Sequence, residues 1–170
     1  QLKNLESLEL SFCLNSRSAT LSFLENFSIS QSVKSIKLSF HNLNWESLNS
    51  SATAPEEILI FEENPVCRKF YSEWENLNNL QSLSVSFTSQ EYSTSNSSEL
   101  NFITHVFRRL TNVSMLYYTD FCDDSSSRTK ALDFNVLWNS VKHLKTTLRT
   151  LLVETALISL QNFSQIEEDL

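Results

Sequence analysis

The residues best suited to chemistry in this chain are three histidines, three cysteines and a short cluster of aspartates. His41, His105 and His143 stand far apart, so no H-x-x-x-H or H-E-x-x-H spacing presents two imidazoles to a zinc ion from one helix face. Cys13, Cys67 and Cys122 form no C-x-x-C pair, which removes the usual thiolate knuckle and the redox dithiol. Asp120, Asp123 and Asp124 flank Cys122 and offer the oxygens a hard cation prefers. They lack the EF-hand spacing and its turn glycine, so an exposed acidic loop is expected. Serine is abundant enough that any Ser/His/Asp set can be drawn on paper, yet no nucleophile elbow frames one. No catalytic, cofactor or metal residue is assigned. The expectation is a non-enzymatic chain without cofactors; a small α/β enzyme is the least favoured alternative.

Glycine is absent altogether. A P-loop or a dinucleotide-binding turn needs glycine for the backbone to approach phosphate, so both are excluded. Tight hairpins must rely on Asn, Asp or Ser, which favours parallel strands joined by longer crossovers. The net charge is −7, opposite to what a phosphate backbone attracts, so no nucleic-acid partner is expected. Arg108-Arg109 and the group Lys142, Lys145 and Arg149 read as solvated helix faces. No apolar run is long enough for a membrane span. An odd, unpaired set of cysteines favours a reducing, intracellular compartment, cytoplasm or nucleus.

The elements that would position any site are repeated strands. Leu2, Leu5, Leu8 and Leu10 are followed by Phe12 and Cys13. A shorter form returns as Val33, Ile36, Leu38 and Phe40, and again as Leu80, Leu83, Val85 and Phe87. The segments LELSF, IKLSF and LSVSF are near-copies, each alternating apolar and polar residues as a half-buried strand does. Six strands can be laid in register, centred on Leu8–Leu10, Ile36–Leu38, Ile58–Ile60, Leu83–Val85, Val113–Met115 and Leu151–Val153.

Helices are expected between them. One carries Leu21, Leu24 and Phe27. A second opens at Asn64-Pro65 with the stripe Val66, Phe70, Trp74 and Leu77. A third follows Ser97 or Ser98 with Leu100, Ile103, Phe107 and Leu110 inward. The longest spans about Thr129 to Leu148, with Val136 or Leu137, Val141, Leu144 and Leu148 inward. Residues 89–98 and 120–127 read as loop insertions in a single domain covering 1–170. The chain opens inside a repeat and reads as a piece of a longer array.

These residues resemble the leucine-rich repeat family, whose strand motif is L-x-x-L-x-L-x-x-N/C. Leu5, Leu8, Leu10 and Cys13 fit it fully, and Val33, Ile36 and Leu38 fit with His41 at the turn-bonding position. Leu80, Leu83 and Val85 fit, Leu110, Val113 and Met115 fit less well, and Leu148, Leu151 and Val153 keep the spacing. The irregular lengths look like the helix-rich, F-box-associated or ribonuclease-inhibitor-like kind. The resemblance implies an α/β solenoid of about six degenerate repeats, with parallel strands on a concave side and helices on a convex one. It implies a protein-binding scaffold or adaptor and no chemistry.

If the motif leucines face the core, the residues between them face the concave side. That predicts a partner-binding surface of Glu9, Ser11, Lys37, Ser39, Leu59, Phe61, Ser84, Ser86, Ser114, Leu116, Leu152 and Glu154. A register slip of one residue would exchange the faces. Phe12, Phe40, Phe87 and Tyr117 share one register; an inward aromatic stack is favoured over an open aromatic edge. The function expected is binding of a protein partner on that sheet. The alternatives are a subunit embedded in a larger assembly and a substrate receptor of the F-box type.

Overall fold

The alternation in each motif leaves one apolar row to be covered, and the fold covers it with helices. The structure is a computed structural model and describes residues 4–13, 17–41, 65–89, 96–122, 132–155 and 158–159. In chain order the elements are β1 (Ser7–Cys13), α1 (Arg17–Asn26), β2 (Ser35–His41), α2 (Pro65–Glu75), β3 (Ser82–Ser89) and α3 (Asn96–Phe107). They continue with β4 (Met115–Cys122), β5 (Leu132–Asp133), α4 (Phe134–Val141), a 3₁₀ turn (Lys142–Leu144), β6 (Thr150–Thr155) and β7 (Ile158–Ser159). Strands β1, β2, β3, β4 and β6 form one parallel sheet in that order, and β5 pairs with β7 in a second small one.

Each strand of the larger sheet lies beside the one before it. Crossovers between parallel strands keep one hand, so a sheet that always advances in one direction collects its helices on one face. The buried residues agree. Leu24 of α1, Phe70 and Trp74 of α2, Ile103 and Phe107 of α3, and Leu137 and Val141 of α4 join one core with the inward strand residues. Inward rows run Leu8–Ile36–Leu83–Leu116–Leu151 and Leu10–Leu38–Val85–Tyr118–Val153. A third row precedes the strands, with Val33, Leu80 and Val113 fully buried and Leu5 and Leu148 half-buried at its ends.

One backbone arrangement recurs four times at the strand entrances. The Glu6 carbonyl accepts from the amides of Lys34 and Ser35, and the Lys34 carbonyl from Gln81 and Ser82. The Gln81 carbonyl accepts from Ser114 and Met115, and the Ser114 carbonyl from Arg149 and Thr150. Each carbonyl uses both lone pairs on the next strand, so every register is fixed before its strand begins.

Several expectations are corrected. The fifth strand takes the frame Val113, Leu116, Tyr118, not Leu110, Val113, Met115, because Leu110 closes the turn after α3. Leu116 is therefore fully buried. The long helix is shorter than expected: α4 ends at Val141, a 3₁₀ turn follows, and Leu132–Asp133 is strand. Arg108 and Arg109 follow α3 instead of lying on it, and Lys145 and Arg149 lie beyond the 3₁₀ turn. Strand β4 continues through Cys122, so residues 120–122 are strand and not loop. Likewise β3 reaches Ser89 and α3 starts at Asn96, which trims the 89–98 insertion at both ends. Strand β2 pairs directly with β3, and the strand expected at Ile58–Ile60 lies outside the described residues. Leu59 and Phe61 lie outside the described residues.

The aromatic row turns inward as favoured. Phe12 stacks on Phe40 with centroids 5.5 Å apart, and Phe40 on Phe87 at 5.2 Å. At that register β4 carries Asp120; the Tyr118 ring, in the neighbouring inward row, lies 6.1 Å from Phe87, and Tyr117 lies on the opposite face.

Candidate functional site

The face of the sheet away from the helices carries every predicted binding residue that the structure describes, apart from Leu116 and Ser114. The pairing lines up three rows across it: Ser7–Ser35–Ser82–Met115–Thr150, Glu9–Lys37–Ser84–Tyr117–Leu152, and Ser11–Ser39–Ser86–Thr119–Glu154. Ser114 lies just before β4, half-buried, and its hydroxyl donates to the Gln81 carbonyl at 3.1 Å. It helps fix the strand entrance and is not part of these rows.

The β1–β3 half of the face is small, polar and internally paired. Lys37 Nζ lies 2.6 Å from Glu9 Oε1. The Ser86 hydroxyl donates to Ser39 Oγ at 3.0 Å, and His41 Nε2 lies 3.1 Å from Ser11 Oγ. His41 thus ties β2 to β1 across the open face, where the repeat motif predicted a bond to turn backbone. Cys13 closes β1, exposed and in register with His41. Exposed ion pairs and serine contacts of this kind hold register but contribute only about 0–1 kcal/mol each.

The β4–β6 half is apolar. Met115 is 38% exposed and Leu152 is 43% exposed, the two large hydrophobic residues most open to solvent among those described. Tyr117 lies between them, paired with Leu152 in the sheet, and its hydroxyl donates to Met115 Sδ at 3.8 Å. Met115 and Tyr117 were missed by the sequence reading, which placed Leu116 here. The signal was present: the four-anchor form Leu2, Leu5, Leu8, Leu10, laid over Leu110, Val113, Leu116 and Tyr118, exposes the residues between.

The groups with displaced acidity lie on the covered side. Burial pushes the Cys67 thiol up to about 11. Burial also raises the Asp120 carboxyl, partly offset by the Tyr118 hydroxyl donating to Asp120 Oδ2 at 3.4 Å. Asp120 therefore ends an inward row, in register with Phe87, instead of standing in an exposed loop. Asp123 and Asp124 lie outside the described residues. His143 Nε2 donates to the Leu110 carbonyl at 2.8 Å, and His105 packs against Tyr71 with ring centres 5.3 Å apart. Both imidazoles are engaged in helix packing. Among the described residues, no three of His, Cys, Asp and Glu are grouped to hold a metal ion. Among them too, no helix is long and apolar enough to cross a membrane.

The molecule is an α/β protein whose five-stranded parallel sheet has helices on one face and a half-polar, half-apolar surface on the other. Comparison with family models, with curated proteins and with solved structures finds no match.

Proposed function

We propose that this chain is a non-enzymatic interaction module of the leucine-rich-repeat type, taking a protein partner on the open face of its sheet. The carrying observation is the exposure of Met115 and Leu152 around Tyr117 on that face. Apolar side chains set in a polar surround mark sites that another macromolecule covers. Two features of the fold support the reading. Parallel sheets in α/β enzymes are covered on both faces, whereas here the strands alternate apolar and polar, and one face stays open. The order of the described strands never reverses, so among the described residues the crevice at a topological switch point, where open α/β sheets bind their ligands, has no counterpart.

The test is an affinity purification of the tagged full-length protein from its source, run beside two variants. Changing Met115, Tyr117 and Leu152 together to Ala should release a defined partner set that the wild type retains. Arg108→Ala, an exposed change in the turn after α3, should retain it. Retention of every partner by the triple variant would defeat the reading.

A second reading is a subunit held permanently in a larger assembly. The observation favouring it is the incomplete cover of the apolar rows at both sheet ends. Leu8, Leu10 and Phe12 of β1 and Leu151 and Val153 of β6 are half-buried, while their neighbours in β2 and β3 are fully buried. Partners that survive high salt at fixed stoichiometry would favour it, since apolar burial resists salt and ion pairs do not.

A further inference from the structure

The two outermost strands of the larger sheet complement each other. Among the described residues β1 pairs only with β2 and β6 only with β4, so each keeps one edge with no strand beside it. In a parallel sheet alternate residues send their amide and carbonyl to opposite neighbours. The Ser35 amide donates to the Glu6 carbonyl and the Thr150 amide to the Ser114 carbonyl, which sets the alternation. Ser7, Glu9 and Ser11 therefore aim their backbone groups at the open edge of β1, and Leu151 and Val153 aim theirs at the open edge of β6. The entrance carbonyls of Glu6, Lys34, Gln81 and Ser114 each accept two amides of the next strand. The Arg149 carbonyl is next in that series, and among the described strands none follows to supply its two amides. The amides of Glu6 and Ser7 hold the matching place on β1.

Laying β1 beside β6 in the register the sheet already uses matches more than backbone. Leu5 meets Leu148, Leu8 meets Leu151 and Leu10 meets Val153, and all of these are half-buried where the inward rows are least covered. Glu6 meets Arg149, both exposed. Side chains one strand apart at this register do reach each other, since Glu6 and Lys34 pair across it at 2.7 Å. Arg149 has no ion pair among the described residues. On the open face Ser7, Glu9 and Ser11 meet Thr150, Leu152 and Glu154, so no like charges are opposed. We infer that a second copy of this chain docks the edge of its β1 along β6, head to tail, and continues one parallel sheet through both copies. Such a contact joins two different surfaces, so it leaves a free edge at each end and can add further copies. It uses the strand edges and leaves the open face free, so it does not rest on the interaction reading above.

The test is sedimentation of the full chain over a range of concentrations, beside Glu6→Arg, Arg149→Glu and Ser7→Pro. All three positions are exposed, and a thermal melt of each variant verifies its fold. Each charge reversal sets like charges against each other across the junction. Ser7→Pro removes an edge amide that β2 does not use, at the first residue of a strand, where proline is tolerated. Wild type should pass through dimers to longer species as concentration rises. Each variant alone should associate at least about tenfold more weakly. Mixing Glu6→Arg with Arg149→Glu should restore association, because every junction between unlike copies then joins opposite charges. A wild type that stays monomeric at every concentration overturns the proposal. So does a dimer that neither charge reversal weakens, and so does a mixture that stays dissociated. Association that Ser7→Pro leaves intact overturns the strand pairing. Association lost in Met115→Glu but kept in the edge variants would place the contact on the open face and overturn the proposal as well.

Discussion

The Arg109 guanidinium lies 5.0 Å from the centre of the Tyr71 ring, while its Nε ion-pairs with Glu75 at 3.1 Å. The same side chain donates to the His105 carbonyl at 2.8 Å, so one residue in the turn after α3 clamps α2 to α3. Its neighbour Arg108 is exposed. Arg109→Ala is expected to cost about 1–2 kcal/mol, through a lost cation–π contact and a partly buried ion pair. Arg108→Ala should stay within about 0.5 kcal/mol. Urea titration of both variants checks the contrast. Arg109→Lys should recover less than half of the loss, because an ammonium cannot serve ring, carboxylate and carbonyl in one plane.

The frame of β4 decides which residues the open face presents, and it is directly testable. Leu116 is fully buried in the row Leu83–Leu116–Leu151, and Met115 on the other face is not. Leu116→Ala should cost about 2–5 kcal/mol, the range for removing a buried leucine without refilling its space. Met115→Ala should change stability by about 0.5 kcal/mol or less. Equal losses at the two positions would contradict the frame.

The cysteines should separate cleanly under alkylation. Cys67 is buried on α2 and its thiol is pushed up to about 11, so at neutral pH it holds almost no thiolate. Cys13 is exposed at the end of β1. Iodoacetamide followed by peptide mass mapping should label Cys13 in the native protein and Cys67 only after unfolding. Labelling of Cys67 at the rate of Cys13 would mean that α2 opens readily from the core.

Asp120 should make stability fall as pH rises. Burial raises its carboxyl above the ordinary range, with the Tyr118 hydroxyl opposing the shift. The folded chain thus holds this proton more tightly than the unfolded chain. The resulting stabilisation is full below the ordinary carboxylate range and is lost as pH rises through the folded value. Asp120→Asn keeps the shape and a hydrogen-bonding oxygen without the charge. Melting curves from acid to neutral pH should show this component flattened in the variant, with the variant the more stable at neutral pH.

Much of the sheet was legible because alternation is a strong signal where the next residue is charged or a serine. In LELSF, IKLSF and LSVSF every second residue is plainly outward, and the frames of β1, β2 and β3 follow at once. Around β4 the signal failed, since Leu110, Val113, Met115, Leu116, Tyr117 and Tyr118 are all apolar or aromatic and two frames satisfy the short motif. The tie is broken by the turn after α3, where the Leu110 amide donates to the Phe107 carbonyl and commits Leu110 to the helix end. Asp120 misled for a related reason: a carboxylate beside Asp123 and Asp124 reads as loop, yet strand pairing with Phe87 draws it inward. The open face inherited both outcomes. Glu9, Lys37, Ser84 and Leu152 share its middle row as expected, while the place assigned to Leu116 belongs to Met115 and Tyr117.

The strand order has a consequence for how the chain acquires its shape. In the larger sheet each strand is hydrogen-bonded only to the strands next to it in sequence order, and nothing in that sheet joins β1 to β6. Formation can then start at any adjacent pair and spread outward one strand at a time. Among the described strands the half-covered outer ones have a neighbour on one side only, so they should exchange their amide hydrogens first and β2 to β4 last. Met115, Tyr117 and Leu152 straddle that gradient, which joins the apolar half of the open face to its outermost strand. A ligand seated there would tighten β6 onto β4 as it bound.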